Sequence, residues 1–116
     1  MARAIVITII ITLAVSPSFA QKMSLHKADS LTYDSYVKGE WKEVIKNGKT
    51  AIKNDIDFYY LRMRMGIASY IRGNYINASA HFKKALEHKH NDSIAASYLY
   101  NSYLFLNRDL AANNVY

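Results

Sequence analysis

The fold is decided by residues 59–92, which read YYLRMRMGIASYIRGNYINASAHFKKALEHKHND. Apolar side chains recur there at three- and four-residue spacing, and this period predicts a helix from Phe58 to Arg72. The residues that carry this first stripe are Leu61, Met65, Ala68 and Ile71. Gly73 and Asn74 then predict a tight turn, because both tolerate the left-handed conformation that ends a helix. A second stripe predicts a helix over 75–87, and its members are Ala78, Phe82, Ala85 and Leu86.

The same pattern recurs along the chain with a fixed period of 34 residues. The pairs of similar residues at this offset are Gly39 and Gly73, Trp41 and Tyr75, Tyr36 and Tyr70, Ala51 and Ala85, Ile52 and Leu86, Tyr70 and Leu104, Ala78 and Ala112, and Phe82 and Tyr116. The flanking units therefore predict further helices over Asp29–Lys38, Trp41–Lys53 and Ser93–Asn107, with Asp92 as the cap of the last one. Antiparallel helix pairs with a constant period predict an all-α fold, a stacked α-solenoid.

The unit 59–92 resembles the tetratricopeptide repeat (TPR). Met65 and Gly66 match the large and small residues of its first helix, and Gly73 and Tyr75 match its turn. Its second helix has small, aromatic and small residues where this chain has Ala78, Phe82 and Ala85. The sequence departs from the family pattern at Thr32, Gly48, Arg62, His90 and Tyr100. The resemblance implies a TPR-like α-solenoid with repeats at 25–58 and 59–92 and an incomplete third at 93–116.

The resemblance also implies a function, because the first helices of TPR proteins line a groove that holds a partner peptide. Tyrosine and arginine are enriched at the energetically dominant positions of interfaces. We therefore expect a non-catalytic protein–protein interaction or scaffold module with a protein or peptide partner. The groove positions that the resemblance assigns are Tyr33, Tyr36, Tyr60, Arg64, Ile67, Tyr98 and Asn101. Single tyrosines among these could equally pack between repeats.

The first twenty residues predict a cleavable signal peptide rather than a part of the fold. Arg3 precedes an apolar run from Ala4 to Val15, and small residues at Ser18 and Ala20 suit signal peptidase. The run is shorter than the roughly 20 residues that cross a bilayer, which disfavours the alternative of a membrane anchor. We therefore expect export to the periplasm or cell envelope of a Gram-negative bacterium.

The amino-acid composition excludes several kinds of active site. The chain has 116 residues, no Cys, and a net charge of +6, so it has neither a thiol nucleophile nor a cysteine zinc site. No nucleophile–base arrangement or phosphate-binding glycine loop is present, and the sequence predicts no catalysis and no cofactor. Histidines 26, 81, 88 and 90 lack the spacing of metal ligands, so we expect no metal site.

Basic residues form one further pattern. Lysines at 38, 42, 46, 49 and 53 step by three or four residues and make a stripe along the second helix of the first repeat. We interpret it first as a solvated helix face, and alternatively as a cationic surface-binding module. Export argues against nucleic acid as the partner.

The chain reaches Tyr116 before the third repeat is complete. One interpretation is that it is the soluble N-terminal head of a truncated outer-membrane protein, with membrane contact only through a missing C-terminal region. The identity of the partner does not follow from the sequence.

Overall fold

The computed structural model describes residues 22–116, and the predicted signal peptide lies outside the described residues. The fold is all-α, with no strand between residues 22 and 116. Six helices follow one another in this part of the chain: α1 (Leu25–Val37), α2 (Trp41–Lys53), α3 (Tyr59–Ile71), α4 (Tyr75–His88), α5 (Ser93–Phe105) and α6 (Asp109–Asn113). Each helix packs on the next, and the first helices also contact one another, α1 with α3 and α3 with α5. The predicted helical repeat arrangement is confirmed.

Capping residues set the helix boundaries. The predicted first helix started at Asp29, but α1 begins four residues earlier because the Ser24 hydroxyl accepts a hydrogen bond from the Lys27 amide at 3.1 Å. Asp92 caps α5 as predicted, and its carboxylate accepts from the Ala95 amide at 3.1 Å. The predicted bounds of α2 are confirmed, and those of α3, α4 and α5 differ from the structure by one or two residues.

The three turns inside the helix pairs have the same backbone geometry. Gly39 and Gly73 have φ values of +70° and +76°, and Asn107, 34 residues after Gly73, has +56°. In each turn the amide three residues beyond the helix end bonds back at 2.9 Å: Glu40 to Ser35, Asn74 to Ser69 and Arg108 to Tyr103. This closing pattern satisfies carbonyls that the helix leaves free. The 34-residue period is therefore a period of the backbone, and it extends into the third pair.

Side-chain packing repeats with the same period. Tyr36 meets Trp41 edge-to-face with ring centroids 5.7 Å apart, and Tyr70 meets Tyr75 in the same way at 5.3 Å. These pairs connect the end of a first helix to the start of the second. Each pair fixes its tight turn from the side-chain side, because an edge-to-face contact stabilises beyond the buried area alone.

Two buried clusters make up the core, and α3 contributes to both. The smaller cluster holds Leu61 and Met65 of α3 with Ala28 and Ala51. The larger cluster lies between α3 and α6, and its members are Met63, Ala78, Phe82, Ala85, Ala95, Leu99, Tyr103 and Ala112. Ile71, predicted on the apolar face of α3, is exposed at the end of that helix. Helix α3 therefore joins the two clusters, because its side chains pack into both.

None of the helices found between residues 22 and 116 is long and apolar enough to span a membrane.

Candidate functional site

The first helices of the three pairs border one apolar cavity of about 320 Å³. We call it the tyrosine cavity. Its lining residues are Tyr33 and Tyr36 of α1, Tyr59, Tyr60, Met63, Arg64 and Ile67 of α3, and Ile94 of α5. Tyr33 and Tyr60 are more than half exposed, which places large aromatic side chains at the rim. The cavity exists because α3 contacts both neighbouring first helices.

Five of the seven predicted groove residues line this cavity, namely Tyr33, Tyr36, Tyr60, Arg64 and Ile67. The other two, Tyr98 and Asn101, do not line the cavity. The ring of Tyr98 stacks on Phe82 at 4.9 Å and meets Tyr70 edge-to-face at 5.2 Å, so it packs between repeats. Asn101 is exposed on α5 and does not line the cavity.

Three lining residues were missed by the sequence reasoning: Tyr59, Met63 and Ile94. Ile94 lies 34 residues after Tyr60, so the repeat period alone could have found it. Met63 lies four residues before Ile67, which is the spacing of one helix face. Tyr59 lies four residues before Met63 and continues the same helix face, so the same spacing could have found it.

Arg64 is held in place across the gap between α1 and α3. Its guanidinium donates to the Asp29 carboxylate at 2.6 Å, to the Asp29 carbonyl at 3.2 Å and to the Thr32 hydroxyl at 3.1 Å. The same group lies 5.4 Å from the Tyr33 ring centre and 5.8 Å from that of Tyr60. Arg64 is the one Lys or Arg among the lining residues, and Asp29 balances its charge. Its guanidinium is therefore not an open binding site for an anion.

Tyr59 ties the cavity to the N-terminus of α5. Its hydroxyl donates a hydrogen bond to the Asp92 carboxylate, and the Lys89 ammonium lies 5.2 Å from its ring centre. Burial raises the pKa of Tyr59 well above its ordinary value, and the hydrogen bond to Asp92 raises it further. Burial opposes ionisation of Asp92, but hydrogen bonds from Tyr59 and the Ala95 amide outweigh it and lower the pKa of Asp92. This contact fixes the position of Ile94, two residues into α5.

Arg62, at the position where the TPR pattern has tryptophan, lies in a polar cluster away from the cavity. It donates to the Asp57 carboxylate at 2.7 and 2.8 Å, and it lies 3.1 Å from Nδ1 of His81. Nε2 of His88 lies 3.4 Å from Asp57. The hydrogen bond from Arg62 lowers the pKa of Asp57, and burial together with the Arg62 charge lowers the pKa of His81 to about 4. The cluster connects α3 to α4 by charge where the family pattern uses an aromatic ring.

The other histidines, His26 and His90, are exposed. Between residues 22 and 116, no three His, Cys, Asp or Glu side chains come together as a possible metal site.

The lysine stripe lies on a different part of the surface. Lys42, Lys46, Lys49 and Lys53 are exposed and border a shallow cavity of about 380 Å³ along α2. Lys38 is exposed at the end of α1 and does not border it.

Comparison with known proteins adds no identification: no family model matches the chain, and no curated protein matches it.

Proposed function

We propose that this chain is a non-catalytic protein–protein interaction module of the TPR type, acting in the periplasm or cell envelope of a Gram-negative bacterium. The motif resemblance of residues 59–92 supports the repeat type, and the leader-like residues 1–20 support the location. The observation that carries the binding role is the tyrosine cavity, because an apolar pocket with an aromatic rim is a typical peptide anchor site.

The residues that line the tyrosine cavity indicate which kind of ligand side chain it would accept. Seven of the eight lining residues are aromatic or aliphatic, and the charge of the eighth, Arg64, is paired with Asp29. A carboxylate entering the cavity would have to compete with Asp29 for the guanidinium. An apolar side chain meets no such competition, and its burial contributes about 1.5–3 kcal/mol. The proposed ligand is therefore a peptide segment that inserts a leucine-, methionine- or phenylalanine-like side chain, with the rim tyrosines contacting its backbone.

Site-specific photocrosslinking tests this proposal. A photoreactive phenylalanine analogue replaces Tyr60 at the rim of the cavity, where the native side chain is 62% exposed. The matched control carries the same analogue at Ile76, which is 60% exposed on α4 and does not line the cavity. We expect a discrete crosslinked protein at position 60 in cells and none of that product at position 76. Equal crosslinking from both positions would contradict a dedicated site.

Peptides selected by phage display against the purified protein test the ligand class. We expect the selected peptides to share one large apolar residue, and Tyr60→Ala to weaken their binding at least tenfold, the usual effect at a dominant interface residue. Leu110→Ala serves as the control, because Leu110 is 82% exposed on α6 and away from the cavity. Selection of peptides that share only acidic residues would reject the apolar anchor.

A further inference from the structure

Tertiary packing extends the basic stripe of α2 into a broader surface. A cavity of about 560 Å³ adjoins the shallow one along α2, because Thr50 borders both. Lys22 and Lys27, which precede and open α1, border this second cavity. We call the combined area the lysine surface; its cations are Lys22, Lys27, Lys42, Lys46, Lys49 and Lys53. None of these residues lines the tyrosine cavity.

Within residues 22–116, no close ion pair neutralises the lysines of the lysine surface. All six lysines are exposed, and none takes part in an ion pair within the described part of the chain, residues 22–116. Two acidic residues, Glu43 and Asp57, could partly offset the stripe. Glu43 is exposed on α2 and forms no close ion pair within residues 22–116, and the Asp57 carboxylate is bound by Arg62 at 2.7 Å. Six unpaired ammonium groups on one area repel one another at low ionic strength, and a polyanion relieves that repulsion.

The arrangement of the cations suits a linear polyanion. Along α2 the lysines are separated by four, three and four residues, which corresponds to a spacing of about 4.5–6 Å along the helix axis at a rise of about 1.5 Å per residue. That spacing is close to the length of one sugar unit in an extended glycan chain. A polymer with one anionic group per sugar can therefore place successive charges beside successive lysines.

Polar acceptors lie at the centre of the lysine surface. The Thr50 hydroxyl donates to the Lys46 carbonyl at 3.1 Å, and the Asn54 amide nitrogen donates to the Thr50 carbonyl at 2.8 Å. Both side-chain oxygens remain available as acceptors. Acceptors in a basic site suit a ligand that carries hydroxyl donors beside its anionic groups, as an acidic sugar does.

The lining disfavours the two other large polyanionic partners. It contains no aromatic side chain on which the bases of a single-stranded nucleic acid would stack. Its apolar members, Ile45 and Met23, are partly buried and do not project as a membrane-inserting face would. We infer that the lysine surface binds a linear acidic glycan carrying one carboxylate or sulfate per sugar unit.

The experiment measures binding of the purified protein to polygalacturonate, a linear glycan with one carboxylate per sugar. Its fully methyl-esterified form is the uncharged control. We expect binding to polygalacturonate that weakens steeply with salt, and no binding to the ester. The double variant Lys46→Gln/Lys53→Gln should weaken binding roughly 30-fold, at about fivefold for each cation near an anionic surface.

Two further variants make the result specific. Lys83→Gln/Lys84→Gln removes the same charge from α4, outside the lysine surface, and should change binding less than threefold, about the effect of lowering the net charge alone. Thr50→Val preserves shape and charge and should weaken glycan binding about fivefold, the effect of one hydrogen bond. Equal losses from both double variants, or no loss from Thr50→Val, would overturn the inference. Tighter binding to anionic phospholipid vesicles or to an oligothymidylate than to polygalacturonate would overturn it as well.

Discussion

The two complete repeats solve the same packing problem in opposite ways. In residues 59–92 a large side chain on the second helix, Phe82, faces a glycine on the first, and a Cβ on Gly66 would lie 2.7 Å from the Phe82 ring. In residues 25–58 the counterpart of Phe82 is Gly48, and the counterpart of Gly66 is Thr32. The first repeat therefore lacks the aromatic residue that fills the second.

Its neighbour supplies the missing volume. Met65 of α3 packs so closely on α2 that a Cβ on Gly48 would lie 2.4 Å from its sulfur. Thr32 donates to the Ala28 carbonyl at 2.8 Å and accepts from Arg64 of α3 at 3.1 Å. In the second repeat the gap beside Gly66 is filled by Phe82 of the same repeat. In the first repeat the gap beside Gly48 is filled by Met65 of α3, which belongs to the next repeat. The first repeat therefore depends on the second for its packing, because Met65 fills its gap and Arg64 donates to its buried Thr32 hydroxyl across the boundary.

The largest expected effect comes from removing the filling group of the second repeat. Phe82 is the largest fully buried side chain among residues 22–116, and we expect Phe82→Ala to lower the free energy of unfolding by about 3–5 kcal/mol. Urea denaturation followed by circular dichroism measures the loss. Leu110→Ala, on an exposed side chain, should change the same quantity by less than about 0.5 kcal/mol. If Phe82→Ala lowered the free energy of unfolding by less than Met65→Ala does, Phe82 would not be the main packing group of the second repeat.

Alanine substitutions at Gly66 and Gly48 test whether the two repeats differ in the rigidity of the side chain that fills each gap. Gly66→Ala should lower the free energy of unfolding by about 1–2 kcal/mol, since overpacking against a rigid ring exceeds the gain in helix propensity. Gly48→Ala should change it by less than about 1 kcal/mol, because the flexible Met65 side chain can turn away and the propensity gain offsets the rest. Adding Phe82→Leu to Gly66→Ala should restore part of its loss. A larger loss for Gly48→Ala would contradict the contrast between a rigid and a flexible filler.

The turns test how far the repeats are alike. A Cβ on Gly73 would meet no atom within 4 Å, so the cost of Gly73→Ala is conformational, about 1–2 kcal/mol for a left-handed alanine. Asn107 adopts the same conformation in the third pair, and Asn107→Gly should raise the free energy of unfolding by less than about 1 kcal/mol. Thermal and urea denaturation measure both. A loss on Asn107→Gly would show that the Asn107 side chain stabilises its turn.

A dependence of stability on pH also distinguishes the second repeat from the first. The pKa of His81 is lowered from 6.5 to about 4 by burial and by Arg62, so the folded protein holds this ring neutral where the unfolded chain protonates it. The stabilisation is full above pH 6.5 and is lost as the pH falls from about 6.5 to about 4. His81→Gln should flatten the stability profile over that window. His90→Gln, in the exposed turn, should leave it unchanged; an unchanged profile for His81→Gln would contradict this assignment.

Much of the candidate site could be predicted from the sequence. Helical spacing and the 34-residue period located the first five helices, and the TPR resemblance assigned five of the eight residues that line the tyrosine cavity. The period could also have found Ile94. The resemblance also placed Tyr98 in the groove, but this residue packs on Phe82. A repeat position specifies the side of a helix, whereas the neighbouring side chains decide whether a ring reaches the cavity or the core.

The local structure of the chain follows from short-range features of its sequence. Apolar spacing specified the helices, glycine and asparagine specified the turns, and the Ser24 and Asp92 side chains specified two helix starts, because each acts within a few residues of its own position. Only the tertiary structure decided which groups meet across helices: Met65 in the gap at Gly48, Asp29 on Arg64, and Lys22 and Lys27 beside the α2 stripe. These contacts join residues far apart in the chain, and no local rule of spacing or conformation encodes them.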